Sequence, residues 1–311
     1  MEITKRNTER ARQLFEELDG TVKDGFPTIH SQVHRTRAGT PYLKTPGVVV
    51  LARPHTNVAG LEGFLEGFDP ELNFPDYVDD PTPLPDSSQL CKISGQLCYA
   101  SFGVRRTRND NAAAYFERLT SAGHGSVLEH SSFSFLLYGI SRSVTHELVR
   151  HRAGAAFSQI SQRYVSGSVL RFVERPEYQE DRDLHYLFEE RADRAAAEYE
   201  AMAEQVLERQ EGGASMLTAD YKTDARKKVQ QTARSLLPNE TEAPMVFTGN
   251  VRALRHIIEM RADAHAESEI RNLALRIFLC LRIADPILFG DYELGELPDG
   301  TYTVTTKNRK A

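Results

Sequence analysis

The chain has 311 residues, 40% of them hydrophobic, enough for a sizeable core of ordinary globular composition. A net charge of −6 excludes a general nucleic-acid coat, so a cationic cluster here is a local tool rather than a broad field. Three cysteines without CxxC spacing, no membrane-length apolar run and no apolar core in the opening MEITKRNTER are expected of a reduced, cytoplasmic protein with free thiols.

Residues 7–19 read as an amphipathic helix capped by Asn7 or Thr8, with Leu14, Phe15 and Leu18 as its stripe and Gly20 as its stop. Gly47 to Ala52 is a short apolar run of buried-strand character. Between Asn73 and Ser88 the composition turns to Pro, Asp and Ser. Such a linker divides an N-terminal extension packed on the body, residues 1–88, from a main domain, residues 89–311. Asn111 to Thr120 is helical in character, and Phe133, Phe135 and Leu137 alternate with polar neighbours as a strand buried on one face. His130 sits just ahead of that strand.

The densest stretch is His146 to Tyr164, HELVRHRAGAAFSQISQRY. Val144 and Leu148 at i,i+4 extend a helix from Ser141 to Val149, with Arg150, His151 and Arg152 in its last turn and Gly154 near its C-terminal boundary. Cations there complement the helix dipole. That leaves unexplained Arg163 and Tyr164, which lie past the break beside Ser158 and Ser161. Guanidinium forks, hydroxyls and a phenol suit a phosphorylated or otherwise anionic planar ligand.

Val169 to Val173 reads as a strand, with Arg171 on one face and Leu170 and Phe172 on the other. A long helix from about 183 to 210 has Leu184, Leu187, Phe188, Ala192, Ala195, Tyr199, Met202 and Val206 as its stripe. A second, from about 218 to 236, carries Arg234 in its last turn and stops at Pro238. From Asn250 onward the pattern is helical nearly throughout. Asn250 and Arg261 fall about 20° apart on a helix wheel, with His265 about 40° further and Leu254 and Ile258 in the same sector. The tail ends as a hairpin turning at Pro298-Asp299-Gly300. No GxGxxG or GxxxxGK[ST] loop is present, which argues against a Rossmann-type flavoprotein, and there is no HExxH or Cys/His pairing for a metal.

The pattern Arg150-His151-Arg152, eight residues, then Ser161-Gln162-Arg163-Tyr164 resembles the signature of the flavin-dependent thymidylate synthases, ThyX. The resemblance covers about residues 89–303 and implies an α/β (α+β) fold with a mixed sheet and long helices, assembled as a homotetramer with its sites at subunit interfaces. It implies reductive C5-methylation of a uracil nucleotide monophosphate, with FAD as cofactor and NADPH and methylenetetrahydrofolate as co-substrates. The usual substrate of such enzymes is dUMP; some relatives in nucleoside-antibiotic pathways methylate UMP, and a non-catalytic flavin- or nucleotide-binding protein is the rival from another class. Catalytic roles fall by carry-over on Arg261, Arg150 and Ser161. Substrate binding falls on Glu147, Arg150, Ser161, Arg163, Tyr164, Arg234 and Arg261. Cofactor binding falls on Ser101, His130, Arg150, His151, Arg152, Ser158, Asn250, His265 and His256, the last where some relatives have a flavin-contacting Asn. Other partners, nucleic acid and membrane among them, are not implied. None of Cys91, Cys98 and Cys280 lies in the arginine signature, so no cysteine nucleophile is expected.

Overall fold

The computed structural model describes residues 2–103, 106, 108–163, 170–212 and 222–308. In chain order, α1 (Glu2–Glu17) leads to β1 (Gly20–Lys23), β2 (Phe26–Ile29), β3 (Val33–Arg35), β4 (Pro41–Leu43) and β5 (Gly47–Ala52). The short α2 (Glu62–Leu65), then α3 (Asp86–Leu97) and α4 (Ala112–Ser121), precede β6 (Ser132–Tyr138). Next come α5 (Arg142–Leu148), β7 (Ala155–Gln159), β8 (Phe172–Val173), α6 (Pro176–Gln179), the long α7 (Arg182–Glu211) and α8 (Lys222–Ala233). Finally β9 (Met245–Asn250) runs into α9 (Val251–Arg261), and α10 (Ser268–Ala284) leads to the hairpin β10 (Glu293–Glu296) and β11 (Tyr302–Thr305).

The main sheet has six strands in the order β1-β2-β5-β6-β9-β7. Its pairings are all antiparallel, and parallel pairing is confined to β4 and β8 in a three-stranded sheet, β3-β4-β8. Among the described residues the mixed pairing expected thus falls in the small sheet, where β3–β4 is antiparallel and β4–β8 parallel, and the main sheet is antiparallel. Phe133, Phe135 and Leu137 of β6 and Met245 and Phe247 of β9 are buried on one face, as a period of two dictates. Phe247 stacks on Phe135 and Phe157 of the flanking strands, with centroids 6.0 and 5.2 Å away.

Half of this sheet comes from the first 52 residues. β5 pairs with β6 from Gly47 to Ala52, and β2 and β1 extend the sheet beyond it. α1 lies on α10, burying Ala11, Leu14 and Phe15. α10 is itself buried from Glu269 to Arg282 except at Asn272, as a helix apolar on nearly every side must be. Arg282 within it donates to the Phe289 carbonyl and, at 2.8 Å, to Thr8 Oγ1, so α1 supplies one acceptor to a buried guanidinium.

Several sequence expectations shift by local chemistry. The long helix buries Phe188, Ala192, Ala195, Tyr199 and Val206, but Leu184, Leu187 and Met202 of its expected stripe are exposed, since only an arc of it faces the β3–β4 pair and α8. α5 closes at Leu148, so Arg150, His151 and Arg152 lie beyond its end rather than in its last turn. The spacer after them forms β7, at an edge of the main sheet. Helical continuity after Asn250 breaks at residues 262–267, where Asp263 Oδ1 takes the His265 N–H at 2.9 Å and starts a turn. The expected strand at 169–173 is seen as Phe172–Val173. Its first residue, Tyr164 and the start of the helix expected from 218 lie outside the described residues.

Candidate active site

The cationic segment is placed by three elements. Asn250 ends β9 and caps α9: its Oδ1 accepts the Ala253 N–H at 2.9 Å, the N-cap bond such residues favour. The Asn250 N–H itself donates to the Gly154 carbonyl at 2.9 Å, which ties the end of β9 to the turn after the Arg-His-Arg triplet. Gly154 has φ +69°, and a Cβ there would stand 2.5–2.7 Å from the Asn250 carboxamide. Glycine is thus required at this position by both backbone and space.

At the far end of α9, Arg261 reaches back to α5. Its Nη1 meets Glu147 Oε2 at 2.7 Å, its Nη2 the Glu147 carbonyl at 3.4 Å, and its Nε donates to His151 Nε2 at 2.9 Å. A guanidinium has five N–H donors, so this set leaves two to face a ligand. The His151 ring receives the His256 ring edge-on, with centroids 5.7 Å apart. Burial, Arg261 and His256 hold the His151 pKa down to about 4. His151 is therefore neutral at physiological pH, with its proton on Nδ1, because Nε2 must accept from Arg261.

Around this cluster Arg150, Arg152, Ser158 and Arg163 are exposed. The Ser161 hydroxyl accepts the Arg163 N–H at 3.4 Å. Arg234 is half-buried in a short 3₁₀ turn after α8. His265 does not share a helix face with Asn250 and Arg261, since Asn250 precedes α9 and His265 follows its end; the wheel assumed a helix that stops at Arg261.

A second region lies at the other end of α9. A cleft of about 670 Å³ is lined by Ser101, Cys98, Tyr99, Tyr115, Arg118, the Gly123–Val127 run and Arg252. Ser101 is among the lining residues. His130, exposed at the end of the 3₁₀ turn Gly125–Glu129, is not among the lining residues, whereas His124 and Ser126 are. The run Gly123-His124-Gly125-Ser126 was the available signal for them, since small residues admit a close ligand. Cys91 and Cys280 are fully buried, and burial pushes the Cys91 thiol up to about 12 and the Cys280 thiol up as well. Neither is poised as a thiolate nucleophile. Among the described residues no group of His, Cys, Asp and Glu is arranged to hold a metal, and no helix is long and apolar enough to cross a membrane.

Residues 81–287 match the family described as "Thymidylate synthase complementing protein". Proteins called "Flavin-dependent thymidylate synthase" from Mycobacterium tuberculosis and Mycobacterium bovis are 42% identical over 217 residues, covering 70% of this chain and 84% of theirs. A third, from Mycobacterium sp. (strain KMS), is 40% identical over 242 residues, covering 76% of this chain and 92% of its own. The chain belongs to the flavin-dependent thymidylate synthase family, a family of enzymes.

Proposed function

We propose that the protein methylates C5 of a uracil nucleotide, dUMP to dTMP, with methylenetetrahydrofolate as carbon donor and NADPH as reductant. The observation that carries this reading is the Arg261 guanidinium, aimed by Glu147 and His151. Two free N–H donors there suit the uracil carbonyls, whose negative charge must be stabilised for C5 to act as nucleophile. Ser161, Arg163 and Arg234, with Tyr164, are assigned to the nucleotide and its phosphate.

The residues present fit a flavin. The cleft at Ser101 has the volume and the mixed aromatic, glycine and cationic lining of a cofactor pocket. Ser101, Arg150, His151, Arg152, Ser158, Asn250 and His256 would hold the FAD, and His124 and Ser126 of the cleft join them. When bound, the flavin supplies hydride transfer from the reduced nicotinamide. The chain itself binds, orients and polarises: Arg261 fixes the base, and neutral His151 holds Arg261 without adding a second charge beside it. A homotetramer in the cytoplasm completes the reading, with sites shared between subunits.

The test is a methylation assay on the purified protein with FAD, NADPH and methylenetetrahydrofolate, offering dUMP and UMP in parallel. A yellow protein that converts dUMP in preference to UMP supports the proposal. Preferred turnover of UMP would make it a ribonucleotide methylase. A colourless protein inert towards both would refute the reading.

A further inference from the structure

The turn that starts α5 is held from behind by two buried carboxylates. Glu242, 6% exposed, accepts the Gly139 N–H at 2.7 Å and pairs with Arg171 through contacts of 2.5 and 2.8 Å. Glu269, 2% exposed, accepts the Ser141 N–H at 2.7 Å with one oxygen and the Ser141 hydroxyl at 2.8 Å with the other. Ser141 is the N-cap of α5 and accepts the Val144 N–H in turn. Glu269 also stands in the first turn of α10, whose N-cap Glu267 pairs with Arg175. Hence the α9–α10 corner grips α5 at both ends. Arg261 takes Glu147 and His151 at its C-terminal end, and Glu269 takes Ser141 at its N-terminal end.

A buried carboxylate is costly unless it is paired or hydrogen-bonded. Among the described residues, the hydrogen-bond donors that meet Glu269 from another element are those of Ser141. α5 is a seven-residue helix, too short to hold its own position without tertiary anchors. Any slip at Ser141 is carried directly to the triplet that follows its last turn.

We propose that Glu269 is a positioning residue: by fixing Ser141 it sets the axial and rotational place of α5, and so where Arg150, His151 and Arg152 meet the nucleotide and flavin. The binding part of this statement rests on the function proposed above. Burial, with Glu267 adding to it, raises the Glu269 carboxyl to about 7 against the pull of Ser141 and Arg175. Near neutrality it is thus divided between its acid and base forms, and a neutral amide of the same shape can take its place.

The experiment compares Glu269→Ala, Glu269→Gln and Ser141→Ala in the full chain. Amide hydrogen exchange is followed at residues 142–154 and in β6 and β9, alongside flavin affinity and the KM and kcat for dUMP. For Glu269→Ala the expected result is faster exchange confined to 142–154 and a KM raised about tenfold or more, the ratio that ~1.4 kcal/mol produces, with kcat within threefold. Glu269→Gln should restore both, and Ser141→Ala should move both in the same direction by less. Uniformly faster exchange with unchanged KM and flavin affinity would make Glu269 merely structural and overturn the proposal. So would a glutamine variant as defective as the alanine one. If Glu269→Ala does not fold, Ser141→Ala carries the same comparison. Should the wild-type protein methylate neither nucleotide, the function proposed above fails, while the exchange comparison still decides whether Glu269 positions α5.

Discussion

Replacing Gly154 by alanine probes the joint between the cationic turn and the sheet. Its φ of +69° lies where an L-residue with a Cβ loses roughly 1–2 kcal/mol. The added Cβ would also fall 2.5–2.7 Å from the Asn250 carboxamide, so that side chain must leave. Its bond to the Ala253 N–H then breaks, and losing an N-cap costs about 1 kcal/mol. The sum is about 2–3 kcal/mol. For a chain of this length, about 2.1 cal/mol/K per residue of unfolding entropy turns that into a fall in Tm of roughly 3–5 °C. Function should fall further than stability, because Asn250 and the triplet share the displaced turn. Flavin affinity is expected to drop at least tenfold. Thermal unfolding and flavin titration of Gly154→Ala, Asn250→Gly and the double variant separate the two parts. The double variant should recover the clash but neither the backbone strain nor the cap. A single Gly154→Ala variant with unchanged Tm and flavin affinity would refute the reasoning.

Three other perturbations follow from the same contacts. Arg261→Ala should lower kcat/KM for the nucleotide about 10²–10³-fold, the effect of removing one donor that stabilises developing charge, with flavin still bound by its visible absorption. Arg261→Lys should be nearly as poor, since an ammonium lacks the fork that meets both Glu147 and His151; wild-type turnover by either variant would exclude Arg261 from the substrate site. His151, held at about 4 rather than its usual 6.5, takes up a proton more readily in the unfolded chain. Its contribution is therefore complete above pH 6.5 and lost as pH falls towards 4. A ring-proton NMR titration should find it neutral at pH 6, and a midpoint near 6.5 would show that neither burial nor Arg261 holds it down. Deleting residues 1–31 removes α1, β1 and β2 with buried Leu14, Phe15 and Ile29, each worth about 1.5–3 kcal/mol. Against a total stability of about 5–15 kcal/mol, the truncated chain should fail to fold; a soluble, cooperatively melting product would show that these strands are dispensable.

How far the sequence carries depends on which residues do the specifying. β6 and β5 were legible because their apolar residues alternate or run together and lie in the core. β1 and β3 were not, since their residues are mostly exposed or half-buried and leave no pattern; they exist because neighbouring strands pair with them. β7 was missed for a similar reason, as Ala155, Ala156 and Ser158 carry no strand signal and only β9 alongside makes them one. In the candidate site, Arg261, His151 and Asn250 could be named from spacing and resemblance; the structure joins Arg261 to His151 and leaves Asn250 at the opposite end of α9. Their partner contacts could not be named. The bond from Arg261 to Glu147 crosses 114 residues of chain, and the wheel that placed His265 beside them assumed a helix beyond the turn made by Asp263.

The neutrality of His151 has a consequence for how the cationic cluster can exist without a ligand. Arg261 stands against the His151 ring, and a protonated histidine there would add repulsion beside a guanidinium whose carboxylate partner is Glu147. Keeping His151 neutral turns it from a second cation into an acceptor for Arg261. The positive field that remains is carried by arginines alone, whose charge does not vary over physiological pH. The orientation of the Arg261 guanidinium is set by Glu147 on one side and a neutral ring on the other.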